Sequence, residues 1–428
     1  MDGPTMQKSV AAIPDSLGWI RSHSMTFVTS DIHSNAWQRW IILAVLFLAR
    51  TAMGFQFQAV GALSSFVIAD LGIDYGKLGL LIGLYLLPGV VIAYPGGLLG
   101  RHFGDKRTVI LGLALMVAGG LLTMSSNDYA GILAGRLISG VGAVLLNVLL
   151  TKMTTDWFIG SEIGTALALL VSSWPIGIGI ALVTLPWIAV HGSIGMAFGS
   201  TAAAAALVLI AIGIVYRVPP AVHGSIPPGR IGRARLSLRE LGLVSLAGLI
   251  WMLFNVGYIL IFSFGPALLV SRGLPEGDAG FLISLVAWTV IVTIPLGGVI
   301  IDRVGHATLL MIASFAAFGL STMLVPATPS LLLMIFVGAV AGLPCGAMMV
   351  LPSEVLRPQN RAAGMGVFLT WYYAGMALLT PAAGILRDVS GAAGAPLFFA
   401  GALELAALAV LIVFRLLQHR HPDFAYKR

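Results

Sequence analysis

The stretch GVIIDRVG, Gly298 to Gly305, lies between two long apolar runs, and a near-copy, GLLGRHFG, Gly97 to Gly104, lies between two others. The glycines match at Gly97/Gly298 and Gly104/Gly305, both at an offset of 201 positions. Further along, DWFIGSEIGTA (Asp156 to Ala166) is echoed by EVLRPQNRAAGMG (Glu354 to Gly366), and Trp174 by Trp371 at an offset of 197. A repeat at this spacing means that each half of the chain is a version of the other. Internal duplication of a set of spanning helices is a transporter signature.

Composition sets the same limits from the outside. Of 428 residues, 58% are hydrophobic and 10% are charged, against about 25% charged in a soluble domain. Mean hydropathy is +0.98. A disordered chain, a coiled coil and an ordinary cytosolic enzyme are excluded. Apolar runs long enough to span a bilayer fall at 38–66, 77–99, 108–126, 130–151, 163–188 and 195–216, then at 241–268, 279–301, 307–326, 331–353, 362–386 and 395–417. The expected fold is therefore an all-α integral membrane protein of twelve helices in two six-helix repeats. A polar tail (1–36) precedes the first bundle (37–216), a linker (217–240) with two Pro-Pro pairs and five Arg follows it, and a second bundle (241–417) leads to a short tail (418–428). The first tail has no long apolar core and does not read as a cleaved signal peptide.

Charge orients the chain. Both tails, the linker and the loops on their side hold 19 of the 24 Lys and Arg, the opposite loops hold Lys77, Arg272 and Arg387, and Arg50 and Arg136 lie inside spans. By the positive-inside rule both termini and the linker are cytoplasmic, in a plasma membrane and, for a bacterium, the inner membrane. The net charge of +7 is thus a matter of topology, and nucleic acid is not expected as a partner. The lone cysteine, Cys345, cannot form an intramolecular disulfide.

These residues resemble the major facilitator superfamily. GVIIDRVG fits its loop motif Gly-x-x-x-Asp-Arg-x-Gly, including Asp302 and Arg303, and GLLGRHFG fits at its glycines. GRLISGVGA (Gly135 to Ala143) resembles the family's fourth-helix motif, and SSWPIGIG (Ser172 to Gly179) its fifth-helix Gly-Pro motif. ARTAMGFQFQ (Ala49 to Gln58) and TTDWF (Thr154 to Phe158) look like the cyanate-permease-like and nitrate/nitrite-porter-like branch. Nitrate porters carry an Arg on helix 2 and another on helix 8, and both are missing here. The resemblance implies alternating access, with two bundles rocking about a site near mid-membrane.

Buried charge marks the candidate site, because a charge at mid-helix costs roughly 2.5–3.5 kcal/mol unless it faces a cavity or a partner. Well inside spans lie only Arg50, Arg136 and Glu404. Arg50 is expected to anchor an anion through paired guanidinium donors. Arg136 begins a stripe with Gly140, Ala143 and Asn147 that lines a path or forms a close helix contact. Trp251, Asn255, Tyr258 and Phe262 share a face of the seventh helix, the eleventh holds Trp371, Tyr372 and Tyr373, Trp174 sits beside Pro175, and Tyr85 lies within the second. The expected substrate-binding set is Arg50, Gln58, Tyr85, Arg136, Asn147, Trp174, Asn255, Tyr258 and Trp371. Glu404 is a proton site or a locally paired residue.

The loop charges suggest a gate. Arg101 stands where the family has Asp, and its counterpart after the next helix pair is Glu162; in the second half the two positions hold Asp302 and Arg361. These pairs, with Asp156 and Glu354, are expected to hold the cytoplasmic side shut. The expected function is secondary transport of a small organic or inorganic monoanion, with a co-transported proton. An efflux antiporter for drug-like compounds is the alternative. No acid/base pair, metal cluster, ATP-binding loop or cofactor motif is found, so an enzyme is not expected. Partners are the anionic substrate and the lipid bilayer, and the protein is expected to act as a monomer.

Overall fold

The computed structural model describes residues 18–158, 162–217 and 236–420, and within these the side chains of 18–36, 93–98, 101, 358 and 362 are not described. Most of the expected linker, the two chain ends, Gly97 and the Arg101 side chain thus lie outside the described residues.

Twelve helical segments follow one another: α1 (Gly18–Ala62), α2 in two pieces (Tyr75–Gly83 and Gly89–Phe103), α3 (Asp105–Ser125), α4 (Tyr129–Trp157), α5 (Ile163–His191), α6 (Ile194–Val215), α7 (Leu238–Val270), α8 (Glu276–Val304), α9 (Ala307–Leu324), α10 in two pieces (Leu331–Gly342 and Cys345–Val355), α11 (Arg361–Ser390) and α12 (Ala395–His419). A short helix, Ser64–Leu71, follows α1. Among the described residues ten segments are long and apolar enough to cross a membrane, all but α2 and α11. Both are still required by the alternation of direction that brings each following helix back through the bundle.

Local chemistry explains the boundaries. Asp74, Asp128, Ser193, Ser237 and Ser330 each accept a backbone N–H in the first turn of α2, α4, α6, α7 and α10, which satisfies donors the helix leaves orphaned. At Ser237 the Glu240 side chain reciprocates, completing a capping box. The breaks in α2 and α10 fall just before or at Pro88 and Pro344, where the missing N–H interrupts the ladder. The repeated loop glycines Gly104 and Gly305 adopt φ of 88° and 72°. That region excludes most side chains and explains why both loop motifs end in glycine. Gly298, by contrast, meets nothing that a Cβ would disturb.

Large apolar side chains such as Trp187, Leu207, Ile214, Val292 and Leu332 are exposed around the outside. A soluble surface does not present so continuous an apolar belt, and a bilayer covers it. The halves meet through three helix pairs, α1 with α7, α2 with α11 and α5 with α8. Their backbones approach closely at glycines: Gly61 faces Phe262 and Ser263, Gly79 and Gly83 face Thr380-Pro381 and Met376-Ala377, and Gly280 faces Leu182. All these points lie toward the helix ends remote from the termini, so the molecule is closed on that side.

Candidate functional site

Arg50 stands on α1 at the level where the halves meet. Its Nε is buried without a hydrogen-bond partner, and the groups acting on it electrostatically are Tyr372 and Tyr373 of α11, in the other half. No hydrogen bond or ion pair is formed by Arg50 among the described residues. Tyr373 is 1% exposed, its ring packs on Gly89 of α2, and its hydroxyl accepts from Asn147 Nδ2 of α4 at 3.2 Å. A guanidinium, an amide and two phenols from three helices therefore converge between the halves. Of the expected residues, the structure brings Arg50 and Asn147 to this place.

Arg136 is used differently. It is 3% exposed and its donors are taken by three backbone carbonyls: Nε to Leu81 at 3.1 Å, Nη1 to Gln56 at 2.8 Å and Nη2 to Phe57 at 2.8 Å. Its guanidinium also lies 4.3 Å from the centroid of the Tyr85 ring. With three of its five N–H groups held by backbone carbonyls, Arg136 welds α1, α2 and α4 together. Tyr85 belongs to the same brace: it is fully buried, stacks edge-on against Phe57 and donates to Gln56 Oε1 at 3.3 Å. Trp174 packs on Phe57 at 5.2 Å between ring centroids and backs α1 from within the same half.

Four other expected residues make their contacts elsewhere in this conformation. Gln58 is 2% exposed and donates to the Phe262 carbonyl of α7 at 2.8 Å, so in this conformation it ties the closed side. Asn255 turns its Nδ2 onto the Trp251 carbonyl of its own helix at 2.7 Å. Tyr258 stacks between Phe254 and Phe262 inside the second half. Trp371 is 37% exposed and lies against Gly248 of α7, because two residues along a helix is a rotation of about 200° and Tyr373 already points inward. Tyr372 and Tyr373 are the residues the sequence undervalued. The available signal was a pair of phenols within a span, since a buried hydroxyl seeks a partner.

Among the described residues three of the expected gate carboxylates take partners in their own half, and the side chain of Arg101 lies outside the described residues. Glu162 pairs with Arg39 at 2.6 Å, Asp156 and Asp105 with Lys152, and Glu354 with Arg415 at 2.5 Å and with Gln418 at 3.2 Å. Asp302, Arg303 and Arg361 are exposed and form no ion pair among the described residues. On the terminus side, every ion pair formed among the described residues joins partners of one bundle. The opposite side carries further cross-half polar contacts. Asp388 of α11 accepts the N–H groups of Tyr75 and Gly76 at 3.1 and 2.8 Å, placing a carboxylate on a helix N-terminus. Arg387 lies 3.5 Å from the Tyr75 ring centroid, and Ser65 donates to Glu276 at 3.0 Å.

Comparison with known proteins agrees with this architecture. The chain is 25% identical over 402 residues to the lysosomal dipeptide transporter MFSD1 of Danio rerio, covering 87% of this chain and 86% of that protein. It is 29% identical over 146 residues to the 3-(3-hydroxy-phenyl)propionate transporter of Escherichia coli, 33% of this chain and 35% of that one. The inward-open structure of the xylose transporter XylE from E. coli superposes with a TM-score of 0.74 at 13% identity, over 88% of this chain and 96% of that one. The family model of the Major Facilitator Superfamily matches residues 43–378 and again 246–427. With two six-helix halves joined by three helix pairs and that match spanning both, the chain belongs to the Major Facilitator Superfamily and is a multi-pass secondary transporter, not an enzyme.

Proposed function

We propose that this transporter moves a small organic monoanion, a carboxylate, with Arg50 as its anchor. One observation carries the reading: a guanidinium between the halves that makes no hydrogen bond or ion pair among the described residues and faces two phenols. A charge in that position is costly unless a ligand completes it, and the planar guanidinium matches a carboxylate with two parallel donors. Tyr372 and Tyr373 supply flat walls and hydroxyls for the rest of the molecule. The resemblance to cyanate-permease-like proteins and the cargo in the names of two relatives, a dipeptide and a phenylpropionate, share this chemistry, since each includes an anion of one charge or a carboxylate group. Among the described residues no Asp or Glu acts on Arg50, so an ammonium group would meet no carboxylate there, which favours a simple carboxylate over a zwitterion.

We place the protein in a plasma membrane with both termini cytoplasmic, on the charge bias of its loops. The closed side is then the outer one, and the conformation is inward-open. The test is thermal stabilisation of the purified protein by matched pairs of ligands, such as 3-phenylpropionate and its amide, alongside dialanine. A carboxylate should raise the melting temperature and its amide should not. Equal stabilisation by acid and amide would remove the anion assignment.

A further inference from the structure

Glu404 of α12 is fully buried, and neither carboxyl oxygen has a hydrogen-bond partner among the described residues. Its Oε1 occupies the space that a Cβ on Gly257 of α7 would need. Helix α12 packs against α7, α9 and α11, and none of them supplies a countercharge. From α7 comes Tyr258, whose own hydroxyl is buried without a partner. From α10 comes Cys345, which interacts electrostatically with both Glu404 and Tyr258. Helix α9 has no ionisable residue. The charges of α11, Arg361, Arg387 and Asp388, lie at its ends, and Tyr372 and Tyr373 face Arg50. An unpaired carboxylate in such a place is far costlier than a neutral acid.

The seat of this carboxyl is also part of the gate. Phe262, five residues beyond Gly257 on α7, gives its carbonyl to Gln58 of the other half, and Gly61 packs on Phe262 and Ser263. One short segment of α7, residues 257–263, therefore holds Glu404 on one face and the closed side of the transporter on another. Opening that side requires this segment to leave α1, and a shift of α7 lifts Gly257 from Glu404 and admits water.

We propose that Glu404 is a proton-binding site that couples protonation to the gate: it holds a proton while α7 is seated and releases it to water when α7 withdraws. The step is a simple acid dissociation, with the proton passing from the carboxyl to solvent and the carboxylate left hydrated. The proposal rests on alternating access and not on the anion assigned to Arg50.

The test follows the gate without substrate. Spin labels at positions 70 and 272, both exposed on the closed side, report its width in the full-length protein with Cys345 replaced by Ala. Raising pH should increase the wide population, and Glu404→Gln should stay narrow and lose the pH dependence. Gly257→Ala, which evicts the carboxyl, should widen the gate at a pH where the parent is narrow. Difference infrared spectra should show a protonated-carboxyl band that vanishes with pH in the parent and is missing in Glu404→Gln. A pH profile unchanged in Glu404→Gln, or a carboxyl band that survives the substitution, would overturn the proposal. Should Glu404→Gln fail to fold, Glu404→Leu and Gly257→Ala carry the same comparison. Loss of ligand stabilisation in an Arg50 variant leaves these readouts untouched, so the two readings fail separately.

Discussion

Asn147 of α4 donates a hydrogen bond of 3.2 Å to the hydroxyl of Tyr373 on α11, joining the two halves beside the unbonded guanidinium of Arg50. This is the one side-chain to side-chain hydrogen bond across the halves among the described residues that lies at the central site and not at the closed end. A contact of this kind must break or re-form as the bundles rock. Tyr373→Phe should keep the ring on Gly89 and lose only the bond, at about 0.5–1.5 kcal/mol. We expect a several-fold change in transport rate with little change in melting temperature, measured by counter-flow in proteoliposomes. If Tyr373→Phe and Asn147→Ala have additive effects, the pair is not coupled.

Arg50→Lys should fold normally and bind substrate at least tenfold more weakly, a loss of about 1.4 kcal/mol, because an ammonium cannot reproduce the paired geometry. Arg50→Ala should abolish transport. Wild-type affinity for every tested carboxylate in Arg50→Lys would reassign the residue to structure.

Arg136 should behave in the opposite way. Its three bonds to carbonyls of Leu81, Gln56 and Phe57 are each of a kind that contributes about 1.5–3 kcal/mol. Arg136→Ala removes all three bonds and leaves a cavity among α1, α2 and α4. The expected result is a large fall in melting temperature and in membrane expression, with the affinity of any surviving protein near that of the parent. A selective loss of affinity at unchanged stability would return Arg136 to the substrate site.

The closed side depends on backbone contact between α2 and α11. A side chain at Gly83 would collide with the Met376 carbonyl and with Ala377. Gly83→Val should therefore disfavour this conformation and raise the population open on the side remote from the termini. Accessibility of a cysteine placed at Thr380 to a membrane-impermeant thiol reagent measures it. Protection equal to that of the parent background would show that the contact yields without opening.

Orientation is tested at the linker. A cysteine at Ser225, in a background with Cys345 replaced, should react in intact cells only with membrane-permeant reagents. Ready reaction with an impermeant reagent would invert the topology and make the open side extracytoplasmic.

The sequence by itself determined the class, the helices and the duplication. Runs of about 20 apolar residues have few alternatives to a spanning helix. The capping residues Asp128, Ser193 and Ser237 mark helix starts through chemistry confined to one turn, and Gly104 and Gly305 need a positive φ wherever the helices pack. It also singled out Arg50, because an intramembrane charge is expensive in any fold. What only the tertiary structure decided is how each polar group is spent. Arg50 and Arg136 look alike in sequence, yet three carbonyls from α1 and α2 happen to surround Arg136 and none reaches Arg50. The choice of Tyr373 over Trp371, the diversion of Gln58 to the Phe262 carbonyl and the pairing of Glu162 with Arg39 likewise depend on partners 123 to 226 residues away. Helical periodicity says which residues share a face. It carries no information on which distant helix that face will meet, and hydrogen bonding is a short-range interaction settled only by that meeting.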